Sequence, residues 1–277
     1  MTPLGAPPAL TPVQFREVVD LARNGAGIDI KVGKEELVRT RLARRLRARG
    51  LNDFGAYLEL VRQDETGGEL LMFLDVLTTN QTDFYREPAH FEYLADEIVP
   101  VWSAGSAPIR IWSAGCSTGA EAYTVAMELH DRLPAPRFAA TRILATDISP
   151  TVLARARAAT YEAAELTGLP ERQRRRHFTE VAEGGTGLVQ VAQNLRERVV
   201  CARLNLMSAW PMRGPFDLVL CRNVMIYFDR PTRAELVERF ASMLRPGGHL
   251  FVGHAESLTA GPSSLRYVQP AVYRKDR

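Results

Sequence analysis

The sequence predicts an α/β protein in which an all-α helical region precedes a doubly wound sheet. Three observations carry this. Residues 11–77 contain successive apolar repeats of helical period. From Pro108 onward, short apolar runs alternate with helix patterns, as they do in wound sheets. The run PIRIWSAGCSTGAEAY, Pro108 to Tyr123, reads as strand, glycine-bounded turn and helix.

Residues 1–10 are Pro-rich and have no basic region followed by an apolar core, which predicts a flexible leader rather than a secretion signal. Thr11-Pro12 predicts an N-cap and first-turn proline for a helix carrying Phe15, Val18, Val19 and Ala22. Residues 31–50 hold eight Lys or Arg against two Glu, net +6 in a chain whose total is +3. Within them Val38, Leu42 and Leu46 recur every fourth residue, while Arg41, Arg44 and Arg47 project mostly from the other side. Such a face is either a solvated surface or a docking site for an acidic partner. Phe54, Tyr57, Leu58 and Val61 predict a third helix, and Leu70, Leu71, Phe73, Leu74 and Leu77 a fourth, closing a helical domain over 11–77.

A connector over 78–94 follows, in which Thr78, Thr79, Asn80 and Thr82 stand beside Phe84, Tyr85 and Phe91. Those hydroxyl and amide groups suit contact with a ligand, or a cap before a helix starting near Pro88. The second domain is expected over 95–277. Gly115 and Gly119 bound a turn that lets backbone approach a ligand, with helix N–H groups aimed at any anion there. The G-x-x-x-G spacing equally fits a plain strand-to-helix turn. Ile143 to Thr146 form a strand ending on Asp147, where an acid accepts from ribose hydroxyls in wound folds. Asp147 could instead cap the next helix, although Ser149, ahead of Pro150, is better placed for that. Phe216 to Cys221 is a buried-type strand followed by Asn223, a helix opens at Asp229 and Pro231, and Pro246-Gly247-Gly248 turns into a strand over His249 to Gly253. Val272-Tyr273 ends the pattern as a last strand. Between 168 and 198 the alternation breaks into a basic helix, ERQRRRHF, and a glycine turn beside an alternating strand, EGGTGLVQVAQ.

No run of about eighteen apolar residues is present, so no membrane insertion is expected. Cys116, Cys201 and Cys221 lack metal-binding spacing, which points to a reducing, cytoplasmic setting without zinc or disulfides.

The segments TTNQTDFYRE, WSAGCSTGAEAYT, ATDIS, FDLVLCRNVMIYFD and LRPGGHLFVGHAESL, with the basic stretch KEELVRTRLARRLRARGLNDFGAYL, resemble the CheR family of chemotaxis receptor methyltransferases from about Phe15 to Tyr273. The resemblance implies a Rossmann-like methyltransferase domain with a seven-stranded sheet, its last strand antiparallel, and a small antiparallel β-subdomain over 168–198. It implies methyl transfer from S-adenosylmethionine to glutamate carboxylates of the chemoreceptor's cytoplasmic helical bundle, with S-adenosylhomocysteine as product. Some members hold the receptor's C-terminal peptide on the β-subdomain.

Carried over residue by residue, the family's cofactor contacts fall on Asn80, Thr82, Arg86, Glu121, Asp147, Asn205, Leu206, Asn223 and Val224, beside Gly115 and Gly119 of the turn. The chain departs from the family pattern at Ala120 and Ala122, where Glu and Pro are frequent, and at Tyr85, where Phe is usual. A glutamate is already anionic at neutral pH, so the chemistry needs no general base. His254 and Glu256, in GHAES, are therefore expected to serve local hydrogen bonding. Arg86 is expected to hold the substrate carboxylate and Tyr227 to orient it, with an ion pair and core packing as their respective structural alternatives. In this context the arginine face of Arg41, Arg44 and Arg47 becomes a substrate-docking surface. The enzyme is expected to act as a monomer, without metal or nucleic acid. An RNA methyltransferase and a non-catalytic cofactor sensor share parts of the pattern. Cys221-Arg222-Asn223-Val224 stands where amino-group methyltransferases commonly carry Asn/Asp-Pro-Pro-aromatic.

Overall fold

The computed structural model describes residues 8–181, 187–258 and 264–276. Most of the expected leader, and Glu183 to Thr186 of the glycine turn, lie outside the described residues. Four helices come first: α1 (Pro12–Ala26), α2 (Glu35–Ala48), α3 (Phe54–Gln63) and α4 (Gly68–Leu77). Thr11 and Gln14 cap α1 reciprocally, each backbone N–H meeting the other's side-chain oxygen, at 2.9 and 3.2 Å. Phe15, Val18 and Ala22 join Val38, Leu42, Leu46, Phe54, Tyr57, Leu58 and Phe73 in one cluster, so the predicted apolar faces are the ones that meet.

The basic face is smaller than the sequence suggests. Glu69, at 2% exposure, is buried among cationic groups. Arg45 approaches it to 2.8 Å and Arg49 to 2.5 Å, and the Tyr57 hydroxyl donates to it at 2.9 Å. These pairs hold the Glu69 carboxyl below its ordinary range against the opposing effect of burial. Arg44 and Arg47 remain exposed, with no ion pair among the described residues.

After the connector come α5 (Ala89–Tyr93), a π-helical turn (Leu94–Ile98) and α6 (Val99–Ala104). Then follow β1 (Arg110–Ala114), α7 (Ala120–Arg132), α8 (Ala135–Ala140), β2 (Arg142–Asp147), α9 (Pro150–Ala158), β3 (Thr160–Glu162), α10 (Glu171–His177), β4 (Phe178–Glu180) and β5 (Leu188–Val191). The chain closes with α11 (Gln193–Arg196), β6 (Val199–Arg203), β7 (Phe216–Cys221), α12 (Arg230–Met243), β8 (Leu244–Val252), β9 (Leu265–Gln269) and β10 (Val272–Lys275).

Seven strands form one sheet in the order β6-β2-β1-β7-β8-β10-β9. The first five are parallel, and β10 runs antiparallel to both its neighbours. Alternation along the strands sends Ile111, Leu218, Leu220 and Phe251 to the core beneath α7, and Trp112, Val219, Cys221, Leu250 and Val252 to the core beneath α12. The expected turn at Pro246-Gly248 lies inside β8 as a break in register: its partner β7 advances from Phe216 to Leu218 while β8 advances from Leu244 to His249.

A second, three-stranded antiparallel sheet has the order β3-β5-β4. One of its strands, β3, starts at Thr160, ahead of Gly168. Three residues with no alternation carry no strand signal. The Tyr161 ring packs edge-on against Phe84 at 4.9 Å and anchors the strand through tertiary contact.

Candidate cofactor and substrate site

Strand β1 lies between β2 and β7, so the chain reverses direction across the sheet at this point. Wound sheets bind ligands in the crevice at the carboxyl ends of the strands at such a reversal. Here Gly115 follows β1, and Arg222, Asn223 and Val224 follow β7. With the connector and the end of β2 they line a cavity of about 590 Å³. Ala26 and Ile28 line it from the helical domain, so both halves of the chain close it.

Asn80, Thr82, Arg86, Gly115, Glu121, Asp147, Asn205, Leu206, Asn223, Val224 and Tyr227 all reach this one cavity. Gly119 does not. A Cβ there would meet Ala156 Cβ at 3.0 Å, so this glycine lets the turn pack on α9. Gly115 lines the cavity: its φ is +80°, and a Cβ would collide with Val224 Cγ2, so glycine lets the loop after β7 close on the turn.

Several predicted contacts have protein partners of their own. The Asn205 amide donates to Gly25 O at 2.7 Å, joining the helical domain to the sheet domain. Asn223 has φ +59° and donates from Nδ2 to Glu87 at 3.2 Å. The Tyr227 hydroxyl meets both the N–H and the carbonyl of Thr79 at 3.2 Å, and its own carbonyl accepts from Asp29 N at 2.8 Å. Asp147 accepts from Ser117 N and Ser149 N, each at 2.9 Å, while burial pushes its carboxyl above the ordinary value. Capping of α9 falls to Ser149, whose hydroxyl accepts from Val152 N at 3.2 Å.

Arg86 is exposed, donates to Gln81 O at 3.1 Å and forms no ion pair among the described residues. Arg41 departs from the docking role expected of it. Its guanidinium donates to Leu77 O, and to Thr79 Oγ1 at 2.5 Å, so it fastens the connector instead of facing a partner. Its position on α2, opposite the end of α4, decides this, and helical periodicity on α2 alone cannot show it.

One side of the cavity rests on a charge cluster that sequence reasoning missed. Arg222, its side chain 2% exposed, sits 3.2 Å from Glu121 and 3.3 Å from Glu87, 5.2 Å from the Phe91 ring, and donates to Arg86 O. Burial raises Glu121, with Arg222 and the Ser113 hydroxyl (2.6 Å) opposing. Burial also opposes ionisation of Glu87, but Arg222 and Asn223 prevail and its carboxyl lies below the ordinary range. The only signal was Arg222 standing between a buried strand and Asn223, where a charge demands a partner.

Glu87, His90 and His254 converge with ligand-type atoms within 4.8 Å. The Arg222 guanidinium lies against the same Glu87 oxygen and supplies the positive charge there. Glu256 accepts from Asn223 N and Gly253 N at 2.8 Å and Ile226 N at 2.9 Å, which holds the loop after β7 in shape. The Tyr85 hydroxyl, absent from a Phe, donates to Glu128 at 2.5 Å and accepts from Gln173 at 2.8 Å, tying the connector to α7 and α10. No helix among the described residues is long and apolar enough to cross a membrane.

A wound sheet whose reversal point carries a tight glycine turn, a strand-end acid and a helical cap over one cavity defines a Rossmann-like protein with a nucleoside-type site. Family comparison resolves the class further. Residues 80–273 match the family model described as CheR methyltransferase, SAM binding domain, and residues 14–78 match CheR methyltransferase, all-alpha domain. The chain belongs to the CheR methyltransferase family and is a methyltransferase with S-adenosylmethionine as its cofactor. Its curated relatives include the chemotaxis protein methyltransferase of Escherichia coli K12, 42% identical over 91% of this chain and 86% of that one. The chemotaxis protein methyltransferase of Borreliella burgdorferi is 34% identical over 96% and 95%. A probable chemotaxis protein methyltransferase of Rhizobium etli is 37% identical over 90% and 98%. The site fits the cofactor: the absence of a side chain at Gly115 lets Val224 close against the turn as cavity wall, and Asp147 offers the acid at the end of β2.

Proposed function

We propose that the chain transfers a methyl group to glutamate side chains of chemoreceptor helical bundles, forming methyl esters in chemosensory adaptation. Arg86 carries this reading, because its exposed guanidinium at the cavity has no acid of its own among the described residues and so suits a substrate carboxylate. The bound cofactor supplies a methyl group already activated by its sulfonium. Glutamate, with an ordinary pKa of about 4.3, arrives ionised. What remains for the protein is alignment and exclusion of water, and positioning of this kind contributes ~7–11 kcal/mol in favourable systems.

In this reading Asp147 accepts from the ribose, and Gly115, Val224 and Leu206 shape the wall. Asn80, Thr82, Glu121, Asn205 and Asn223 complete the cofactor's surroundings. Arg86 holds the carboxylate and Tyr227, fixed on Thr79, orients it. Arg44 and Arg47 attract the acidic bundle. Strands β3 and β4, at the edges of the small sheet, each pair on one side only among the described residues, so a receptor's C-terminal peptide could add there as a further strand. The enzyme works in the cytoplasm as a monomer, without nucleic acid.

Transfer of labelled methyl from S-adenosylmethionine to membranes containing the host's chemoreceptors tests the proposal. Base-labile label on the receptor band is expected. Cofactor binding with no such label would overturn the substrate assignment.

A further inference from the structure

Asp75, near the end of α4, does not line the cavity, yet three side chains converge on its carboxylate. Asn80 Nδ2 donates to Oδ1 at 3.2 Å, Ser149 Oγ donates to the same oxygen, and Thr151 Oγ1 donates to Oδ2 at 2.9 Å. Two of these donors belong to a closed circuit. Asn80 O accepts from Ser117 Oγ at 2.6 Å, Ser117 N donates to Asp147 Oδ2 at 2.9 Å, and Asp147 Oδ1 accepts from Ser149 N at 2.9 Å. The Ser149 hydroxyl then returns to Asp75. The circuit links the helical domain, the connector, the glycine turn and the end of β2, and three of its members, Asn80, Ser117 and Asp147, form cavity wall.

We infer that Asp75 is a positioning residue for the cofactor, setting the distance between the connector and the end of β2 through Asn80 and Ser149. The inference rests on the cofactor reading of the cavity. A carboxylate suits the position because it only accepts, and every group converging on it donates. Without it, Asn80 and Ser149 lose their common partner, and within the circuit the connector is held to the strand end through Ser117 alone. Asp147 keeps its backbone donors, so the acid survives but the wall opposite it is no longer set. Asp75 touches neither cofactor nor reacting atoms, so its effect falls on binding and not on the chemical step.

Calorimetric binding of S-adenosylhomocysteine to the full chain tests this, with Asp75→Ala, Ser149→Ala and their double variant compared well below their unfolding temperatures. Each single variant is expected to raise Kd about tenfold, the equivalent of ~1.4 kcal/mol. The double variant is expected to bind no more weakly than the weaker single one, because one break already opens the circuit. In methyl transfer, KM for the cofactor should rise while kcat at saturating cofactor stays within about twofold. Should Asp75→Ala fail to fold, the near-isosteric Asp75→Leu carries the same test, since it offers no acceptor to Asn80 or Ser149. Unchanged Kd in folded variants, whatever their unfolding temperature, would overturn the inference. Failure of the unsubstituted chain to bind would overturn the cofactor reading and this inference with it, a result distinct from equal binding by chain and variant.

Discussion

Arg222 and Glu121 form an ion pair at 3.2 Å in the wall of the cofactor cavity, one partner from the loop after β7 and the other from the first turn of α7. The pair bridges the two segments that flank the reversal point of the sheet. Glu87 joins the same guanidinium from the connector, so three separate stretches of chain converge on one cation. Asn223 and Val224, next in the chain, line the cavity.

Arg222→Met would leave two half-buried carboxylates facing each other without their cation. Breaking a buried pair from one side costs about 3–5 kcal/mol, and denaturant unfolding at neutral pH should show a loss of that order. The deficit should shrink as pH falls and the carboxylates protonate.

Gly115→Ala should lower affinity for S-adenosylhomocysteine at least about tenfold, because the added methyl enters the space of Val224 at a backbone angle of +80°. Adding Val224→Ala to the same chain should restore part of the binding measured by calorimetry. Absence of any recovery would separate backbone strain from the collision.

The arginines of α2 should separate into two groups. Arg44→Ala with Arg47→Ala is expected to weaken receptor methylation and its salt dependence while sparing cofactor binding. Arg41→Ala is expected to weaken cofactor binding as well, because it frees Leu77 O and Thr79 of the connector. Parallel measurement of receptor KM and cofactor Kd distinguishes them.

Arg86→Lys should cut turnover on receptor by at least about tenfold, since a single ammonium cannot reproduce a two-pronged grip on a carboxylate. Full activity in that variant would mean the guanidinium fork is not used.

Acid sensitivity should trace in part to His90. Burial, and after it the Arg222 guanidinium, hold the ring's pKa down to about 3 from 6.5. The folded state therefore resists a proton that the unfolded chain accepts. Stability is full above about pH 6.5 and falls as pH drops toward 3, by ~1.4 kcal/mol per pH unit for one such group. Burial acts in the same direction on His249, held down to about 4. Thermal unfolding between pH 7 and 4 should be shallower in His90→Phe than in the unsubstituted chain.

How far the sequence can be read varies with the range of the interaction. Thr11, Pro12 and Gln14 announce the start of α1 because a cap is a contact within four residues. Phe216 to Cys221 announces a central strand because five of its six residues are apolar, as burial on both faces requires. Glu69 was not legible, since a buried acid on α4 is explained by Arg45 of α2, Arg49 just past its end and Tyr57 of α3. The same holds for β3, anchored by an aromatic contact with Phe84, and for β9, whose pairing with β10 carries no local pattern.

By itself the sequence determined the helical domain, the wound sheet, the glycine turn, the acid on β2 and, through its motifs, the family. Each of these rests on periodicity or on residues adjacent in the chain. Only the tertiary structure decided which polar groups face the cavity and which hold it together. It turned Arg41 inward, moved Gly119 off the site, buried Arg222 between two acids and closed the circuit through Asp75. Those outcomes depend on which charges and donors meet after distant segments pack, because a buried polar group must find its partner wherever the fold places one.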